Sequence, residues 1–288
     1  MRNFDDLIRV RHPLIRNVIA EFFGTLVLVY VAHSTGVSYS AMSRSNPVGK
    51  LMGVTFGVGL AAFIALSAVL PVSGGHINPA VTVGVASMGL FPWAHVVPYI
   101  VAQHIGGFCA AGLIYGTHFN LINKIHLEYN DTDEGYRETM HMFAGDVVQH
   151  ASAGGAFICS VCATAVFLIG AIAILDHRNM QAPKWYYSLS IGFVLMVSLA
   201  AFSSNGSPSV NPAADLPCRI FAHLAGWGNV IWDPLYGHYW YLCGILAPHL
   251  GAILGLYLYR IFVGAHFAKE NEREKHVADE QEMSKLKP

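Results

Sequence analysis

Asparagine and proline stand together twice in this chain, in HINPAVT (His76–Thr82) and in SVNPAAD (Ser209–Asp215), 133 positions apart from Asn78 to Asn211. Proline suits the first position of a helix, where its missing N–H has no intrahelical partner to lose. Asparagine just before it is a strong N-cap, its side-chain oxygen accepting from backbone N–H groups of the first turn. That leaves the amide NH2 to point away from the helix, and the alanine that follows keeps the junction thin enough for two such ends to meet. The chemistry on offer is hydrogen-bond donation to a passing oxygen. The sequence shows no nucleophile paired with a base and no metal-spaced cluster, so it reads as a non-enzyme with no cofactor and no metal. Cys159-Ser-Val-Cys162 has redox-pair spacing but sits in an apolar run without metal-type partners. These two, with Cys109, Cys218 and Cys243, read as small buried hydrophobes.

The elements that must position the two motifs are membrane helices. Of the 288 residues, 54% are hydrophobic and 12% charged, with a formal net charge of −1. That charge content is about half that of a soluble domain, and there is no basic footprint for nucleic acid. Six stretches are long enough to cross about 30 Å of hydrocarbon: Ile15–Gly36, Lys50–Pro71, Trp93–Gly116, Ser152–Leu175, Trp185–Ser203 and Tyr239–Gly264. None alternates as a barrel strand does. Pro79–Leu90 and Pro212–Gly226 are apolar but about half as long, and each follows an Asn-Pro step. Short interrupted segments in matching places of two halves mark a site at mid-membrane. The halves do match: AEFFGTLVL (Ala20–Leu28) pairs with CSVCATAVF (Cys159–Phe167), with Thr25 and Thr164 in register. Three spans and a half-span, twice, make an inverted repeat. The predicted fold is therefore all-α, with six transmembrane helices and two re-entrant half-helices. The organisation is a segment 1–14, a channel domain 15–267 (repeats about 15–117 and 152–267) and a tail 268–288.

Arg2, Arg9, Arg11, Arg16, Arg178, Lys184, Arg260 and the tail cations fall on one side of this layout. Arg44, Lys50, Lys124, Arg137 and Arg219 fall on the other. The positive-inside rule then puts both termini in the cytoplasm. The opposite loop, His118–His150, carries the sequon Asn130-Asp131-Thr132, a glycosylation candidate that favours the plasma membrane. The start, MRNFDDLIRVRHP, lacks the pattern of a cleavable signal, and Ala268–Pro288 reads as mobile or as a surface helix.

On these residues the chain resembles the aquaporin superfamily, in its aquaglyceroporin branch, over nearly all of Val18–Phe267. The resemblance is carried by AEFFGT, VSGGHINPAVT, VAQHIGGFCAAGLIYG, NPAADLPCRIFAHLAGWGN and LAPHLGAILGLYLYRIFVGAHF. Asp215 and the phrase LAGWGN at Leu224–Asn229 look like the glycerol-conducting branch. The resemblance implies two half-helices meeting at the centre, one pore per subunit and a homotetramer in the lipid bilayer. Asn78 and Asn211 would form the pore centre. Carbonyls of Gly74, Gly75 and His76, and of Ser207, Pro208, Ser209 and Val210, would form an acceptor ladder opposite an apolar wall.

The chain departs from that pattern where selectivity is set. The arginine expected after the second Asn-Pro-Ala is Ala214. Matching the other outer constriction positions gives Phe56, Ala200 and Pro208, a wider and uncharged ring poorer in donors. Arg219 fits a separate basic position further along the half-helix. Pro217 should kink that half-helix near its start. Ser160 occupies the place matching Glu21, so the second loop should be held less firmly than the first, with Glu21, Ser160 and Asp215 as loop supports. Among fifteen histidines, His76 is best placed for a pH response. Gly53/Gly57 and Gly251/Gly255 put small residues on one helix face for close crossing. The reading is a passive channel for water and small uncharged solutes, glycerol and urea among them. A solute-coupled transporter and a scaffold or adhesion protein with a shut pore remain as alternatives.

Overall fold

The computed structural model describes residue 4 and residues 8–42, 47–148 and 150–267. The expectations placed on Arg2, on Arg44 and on the tail Ala268–Pro288 fall outside them. Chain order is α1 (Pro13–Met42), α2 (Pro47–Ser73), α3 (Pro79–Ser87), α4 (Trp93–Glu128), α5 (Asp133–Met140), α6 (Ala153–Leu175), α7 (Lys184–Ala201) and α8 (Pro212–Ala222). A helical turn α9 (Tyr239–Tyr241) then leads through a π-helical stretch, Leu242–Leu246, into α10 (Ala247–Phe262). Among the described residues six helices are long and apolar enough to span a membrane: Pro13–Tyr39, Val48–Ser73, Trp93–Glu128, Ala153–Leu175, Lys184–Ala201 and Tyr239–His266. The short α3 and α8 each begin at the proline of an Asn-Pro step.

Two elements differ from expectation. Helix α4 continues past Gly116 to Glu128, about 54 Å at 1.5 Å per residue, well beyond a hydrocarbon layer. Its extension is not left bare: Ile122 and Ile125 pack with Met140, Met142, Phe143 and Trp227. The amphipathic helix α5 also goes unforeseen in the sequence. It docks through buried Thr139, whose hydroxyl accepts from Trp227 Nε1 at 3.0 Å. Asn130, the sequon residue, lies exposed in the tight turn between α4 and α5 with φ 51°.

The repeat shows in matched crossings. A Cβ on Gly106 of α4 would lie 2.5 Å from the Phe22 carbonyl and 3.2 Å from Thr25 Cβ on α1. One on Gly251 of α10 would lie 2.5 Å from the Val161 carbonyl and 2.7 Å from Thr164 Cβ on α6. The threonines in register in the sequence thus sit at equivalent crossings. In lipid, where burial of apolar surface drives little association, such backbone approach is what holds helices together. Gly53 and Gly57 face Tyr39 and Thr35 of α1 in the same manner, and Gly255 faces the Ala165 carbonyl. Helix α8 runs through Pro217 to Ala222. The Ala213 carbonyl that loses its helical donor points at Gly107, where a Cβ would lie 2.1 Å away. A glycine opposite accommodates both that carbonyl and the Pro217 ring.

Beyond the end of α6, Asp176 accepts from Arg178 Nε at 3.0 Å and Nη2 at 2.8 Å, and from the Tyr259 hydroxyl at 3.1 Å. Arg178 also lies over the Phe267 ring, 5.5 Å from its centroid. The Arg178 hydrogen bonds hold the Asp176 carboxyl down at about 2, against an ordinary value of 3.8.

Replacing Gly251 with leucine should cost about 2 kcal/mol through overpacking, read as a lower melting temperature in detergent. Gly116→Ala, where nothing lies within 4 Å, should be neutral or stabilising. Because the Asp176 value is depressed on folding, its contribution is present above about pH 4 and lost as pH falls toward 2. Asp176→Asn should therefore lower stability by about 1 kcal/mol at pH 7, with the gap to wild type closing in melts run at progressively lower pH from 4 downward.

Candidate functional site

Each half-helix begins as its residues dictate. Asn78 is extended (φ −163°, ψ 121°) and its Oδ1 accepts from Ala80 N at 2.9 Å. Asn211 (φ −142°, ψ 105°) does the same with Ala213 N at 3.0 Å. The amide groups, expected to be free, are half engaged. Asn78 Nδ2 donates to the Val210 carbonyl at 2.8 Å, and Asn211 Nδ2 donates to the Ile77 carbonyl at 2.9 Å. Each asparagine therefore grips the residue preceding the other. With two hydrogens per amide, one bridges the halves and one is left. Both side chains are buried, at 4% and 7% exposure, yet both line one cavity of about 660 Å³.

The lining of that cavity extends from Lys50 near the start of α2 and His141 to Leu175 at the end of α6. One wall is apolar, including Val58, Leu66, Phe167 and Leu195. The other is made by the two loops, Gly74–Asn78 from the first and Gly206–Asn211 from the second. His76 lies on this wall, with Nδ1 3.2 Å from Thr82 Oγ1 and its ring 4.7 Å from that of Phe91. Ile77 adopts φ 42°, a left-handed value unusual for a branched side chain, and carries the carbonyl that Asn211 holds.

The first loop is pinned by one carboxylate. Glu21, fully buried, accepts from Ser73 Oγ at 2.6 Å and His76 N at 3.0 Å through Oε1. Through Oε2 it accepts from Ile77 N at 2.6 Å and Gln103 Nε2 at 2.8 Å. Ser160 supplies the second loop with one longer bond, accepting from Ser209 N at 3.2 Å. Other groups hold that loop instead, so substitution at Ser160 does not leave it unsupported. Tyr239 donates to the Ser207 carbonyl at 2.6 Å, and Ser207 N donates to the Asp146 carbonyl at 2.9 Å. Val147 forms a bridge with Gly206.

These supports rest on a buried ion pair. Arg219 Nε donates to Asp215 Oδ2 at 2.8 Å and Nη2 to Oδ1 at 3.1 Å. The remaining guanidinium donors reach the Ile231 and Gly145 carbonyls, and the group lies 5.0 Å over the Tyr239 ring. Asp215 Oδ1 also accepts from Gly145 N at 2.9 Å. Arg219 is 1% exposed and stands outside the cavity lining. Sequence reasoning missed Tyr239, Gly145 and Asp146 here. The one available signal was Arg219 four residues after Asp215, the spacing of a helical ion pair.

Of the four positions assigned to the outer constriction, two stand off the cavity lining. Phe56 is 45% exposed and lies with Gly59, Phe63, Leu189, Gly192 and Phe193 on the far side of α2, where α2 crosses α7. The α2 positions on the cavity nearest to it in sequence are Val54, Thr55 and Val58. Ala200 is also off the lining, where Leu195, Leu199 and Ser203 stand. Pro208 and Ala214 are on it.

Comparison with known proteins gives the same architecture. Residues 9–259 match the family described as Major intrinsic protein. The chain is 31% identical over 265 residues to Aquaporin-3 of Milnesium tardigradum, covering 90% of this chain and 80% of that one. It is 30% identical over 259 residues to human Aquaporin-10, covering 90% and 84%. The aquaglyceroporin of Plasmodium falciparum has the same fold, with a TM-score of 0.75 at 21% identity over 87% of this chain and 97% of that one.

Glu21→Gln replaces an acceptor by a donor facing Ser73 and His76 or Ile77 and Gln103. It should cost about 3 kcal/mol and lower osmotic water flux per reconstituted protein at least tenfold. Ser160→Ala should cost under about 1 kcal/mol, and equal losses in the two variants would overturn the asymmetry between the loops.

Proposed function

We propose that this chain, which belongs to the major intrinsic protein family and is a membrane channel for water and small solutes, passes glycerol and urea through an arginine-free outer constriction. The observation that carries this reading is Ala214 on the cavity wall, three residues past Asn211, with Arg219 withdrawn into a buried pair. Among the described lining residues, Lys50 is the one lysine or arginine. A solute meeting Ala214, Pro208, Val58 and Thr55 finds a wider ring with fewer donors than a guanidinium fork supplies.

The remaining features of the proposal follow the same layout. Asn78 and Asn211 form the centre, each offering its second amide hydrogen to a passing oxygen. Two half-helix N-termini, each worth about half a positive charge, disfavour cations there. Both termini face the cytoplasm, the α4–α5 turn with Asn130 faces outside, and the channel sits as a homotetramer in the plasma membrane. Among the described residues, the two carboxylates that ion coupling would draw on are both engaged. Glu21 accepts four hydrogen bonds and Asp215 is engaged by Arg219 and Gly145 N.

Stopped-flow swelling of proteoliposomes tests the reading. Rapid, non-saturating glycerol, urea and water flux supports it. Saturable, ion-coupled flux means a transporter, and no flux means a shut pore. Ala214→Arg should lower permeability to glycerol-sized and larger solutes at least fivefold and reduce cation leak; an unchanged size cut-off overturns the assignment of Ala214.

A further inference from the structure

Ala214 leaves the outer constriction without its polar side chain on α8, yet the structure places another polar side chain at that level. His33 projects from α1 onto the cavity wall, one turn beyond Val29, which also lines it. Its Nδ1 lies 3.1 Å from the Met142 carbonyl, and the Ala214 backbone and the Asp215 carboxylate lie near the same ring. Ala144, Gly145 and Thr55 complete the surrounding wall. His33 is thus beside the very residue whose side chain is missing, held there by the α5–α6 connection.

A carbonyl can only accept, so Nδ1 carries the hydrogen in that bond. In the neutral ring Nε2 is then an acceptor. Polarity is inverted relative to a guanidinium, which only donates. Water, polyols and amides all carry hydrogens that such an acceptor takes.

We propose that His33 is a specificity-determining residue of the outer constriction, its Nε2 accepting a hydrogen bond from the O–H or N–H of each permeating solute in place of the donors that Ala214 lacks. This rests on the channel reading above. A polyol entering the constriction sheds bulk water and regains one bond from His33. A water molecule keeps bonds to its neighbours in file and depends less on the wall.

The test is the ratio of glycerol to water permeability in proteoliposomes at pH 7.5, because a general loss of folded channels scales both fluxes and leaves the ratio unmoved. His33→Phe keeps a ring of similar shape without either nitrogen, and the ratio should fall at least threefold. His33→Gln can hold Met142 with its amide and present its carbonyl to the lumen, and should keep the ratio within twofold of wild type. Should His33→Phe not reconstitute, His33→Leu replaces it in the same comparison. A wild-type ratio in the Phe or Leu variant, or an equal fall in the Gln variant, overturns the role of His33. Absence of glycerol and water flux in the wild type overturns the channel reading itself.

Discussion

The structure depends on a reciprocal pair of hydrogen bonds at its centre: Asn78 to the Val210 carbonyl and Asn211 to the Ile77 carbonyl. Each asparagine does two things at once. Its oxygen caps its own half-helix and one amide hydrogen ties the opposite loop, which leaves one hydrogen of each amide over. Buried amide hydrogen bonds contribute about 1 kcal/mol net each, while an unmet partner costs more. The pair therefore acts less by stabilising than by leaving no alternative register for two short helices that could not hold together alone. A change in either loop displaces a carbonyl that the other loop's asparagine needs.

Everything around this centre keeps two stubs aligned, and the two halves do so by different means. The first loop is tied to α1 and α4 through a single carboxylate with four donors. The second is held by a ring of contacts from Tyr239, Ser160, the 145–147 segment and the Asp215–Arg219 pair. Symmetric backbone crossings at Gly106 and Gly251 support both. The inverted repeat is thus kept in helix packing, while the side chains that anchor the loops have diverged.

What the sequence revealed follows from how local the governing physics is. An N-cap, a proline at the first helical position and a span of about twenty apolar residues are decided within a few neighbours, so the half-helices, the six spans and the facing asparagines were legible. The cavity-facing register was not. Helix α2 is apolar on every side, and no polar stripe marks which face meets the lumen. Matching to the family pattern placed Phe56 there, whereas Val54, Val58, Ala62, Leu66 and Leu70 line the cavity at four-residue spacing. Ala200 likewise lies one position from Leu199, which lines the cavity. Tyr239 and Gly145 were invisible because their partners lie 32 and 70 positions away and meet them only through the fold.

The two cationic positions on α8 also show why one cannot replace the other. An arginine at the position of Ala214 would present donors to the lumen. Arg219, five residues on, points into the protein, and its Nε, Nη1 and Nη2 are all taken by Asp215, Ile231 and Gly145. Moving it to the cavity would strand Asp215 as an unpaired buried charge and release the Gly145 carbonyl, a cost of several kcal/mol. The carboxylate beside it also cancels most of its field. In the proposed channel, positive potential therefore comes from the half-helix N-termini at mid-depth, while the outer level is left to an uncharged alanine and an imidazole. On this proposal the barrier to cations and the filter for solutes are separated along the path, where an arginine after the second Asn-Pro-Ala would have combined them in one side chain.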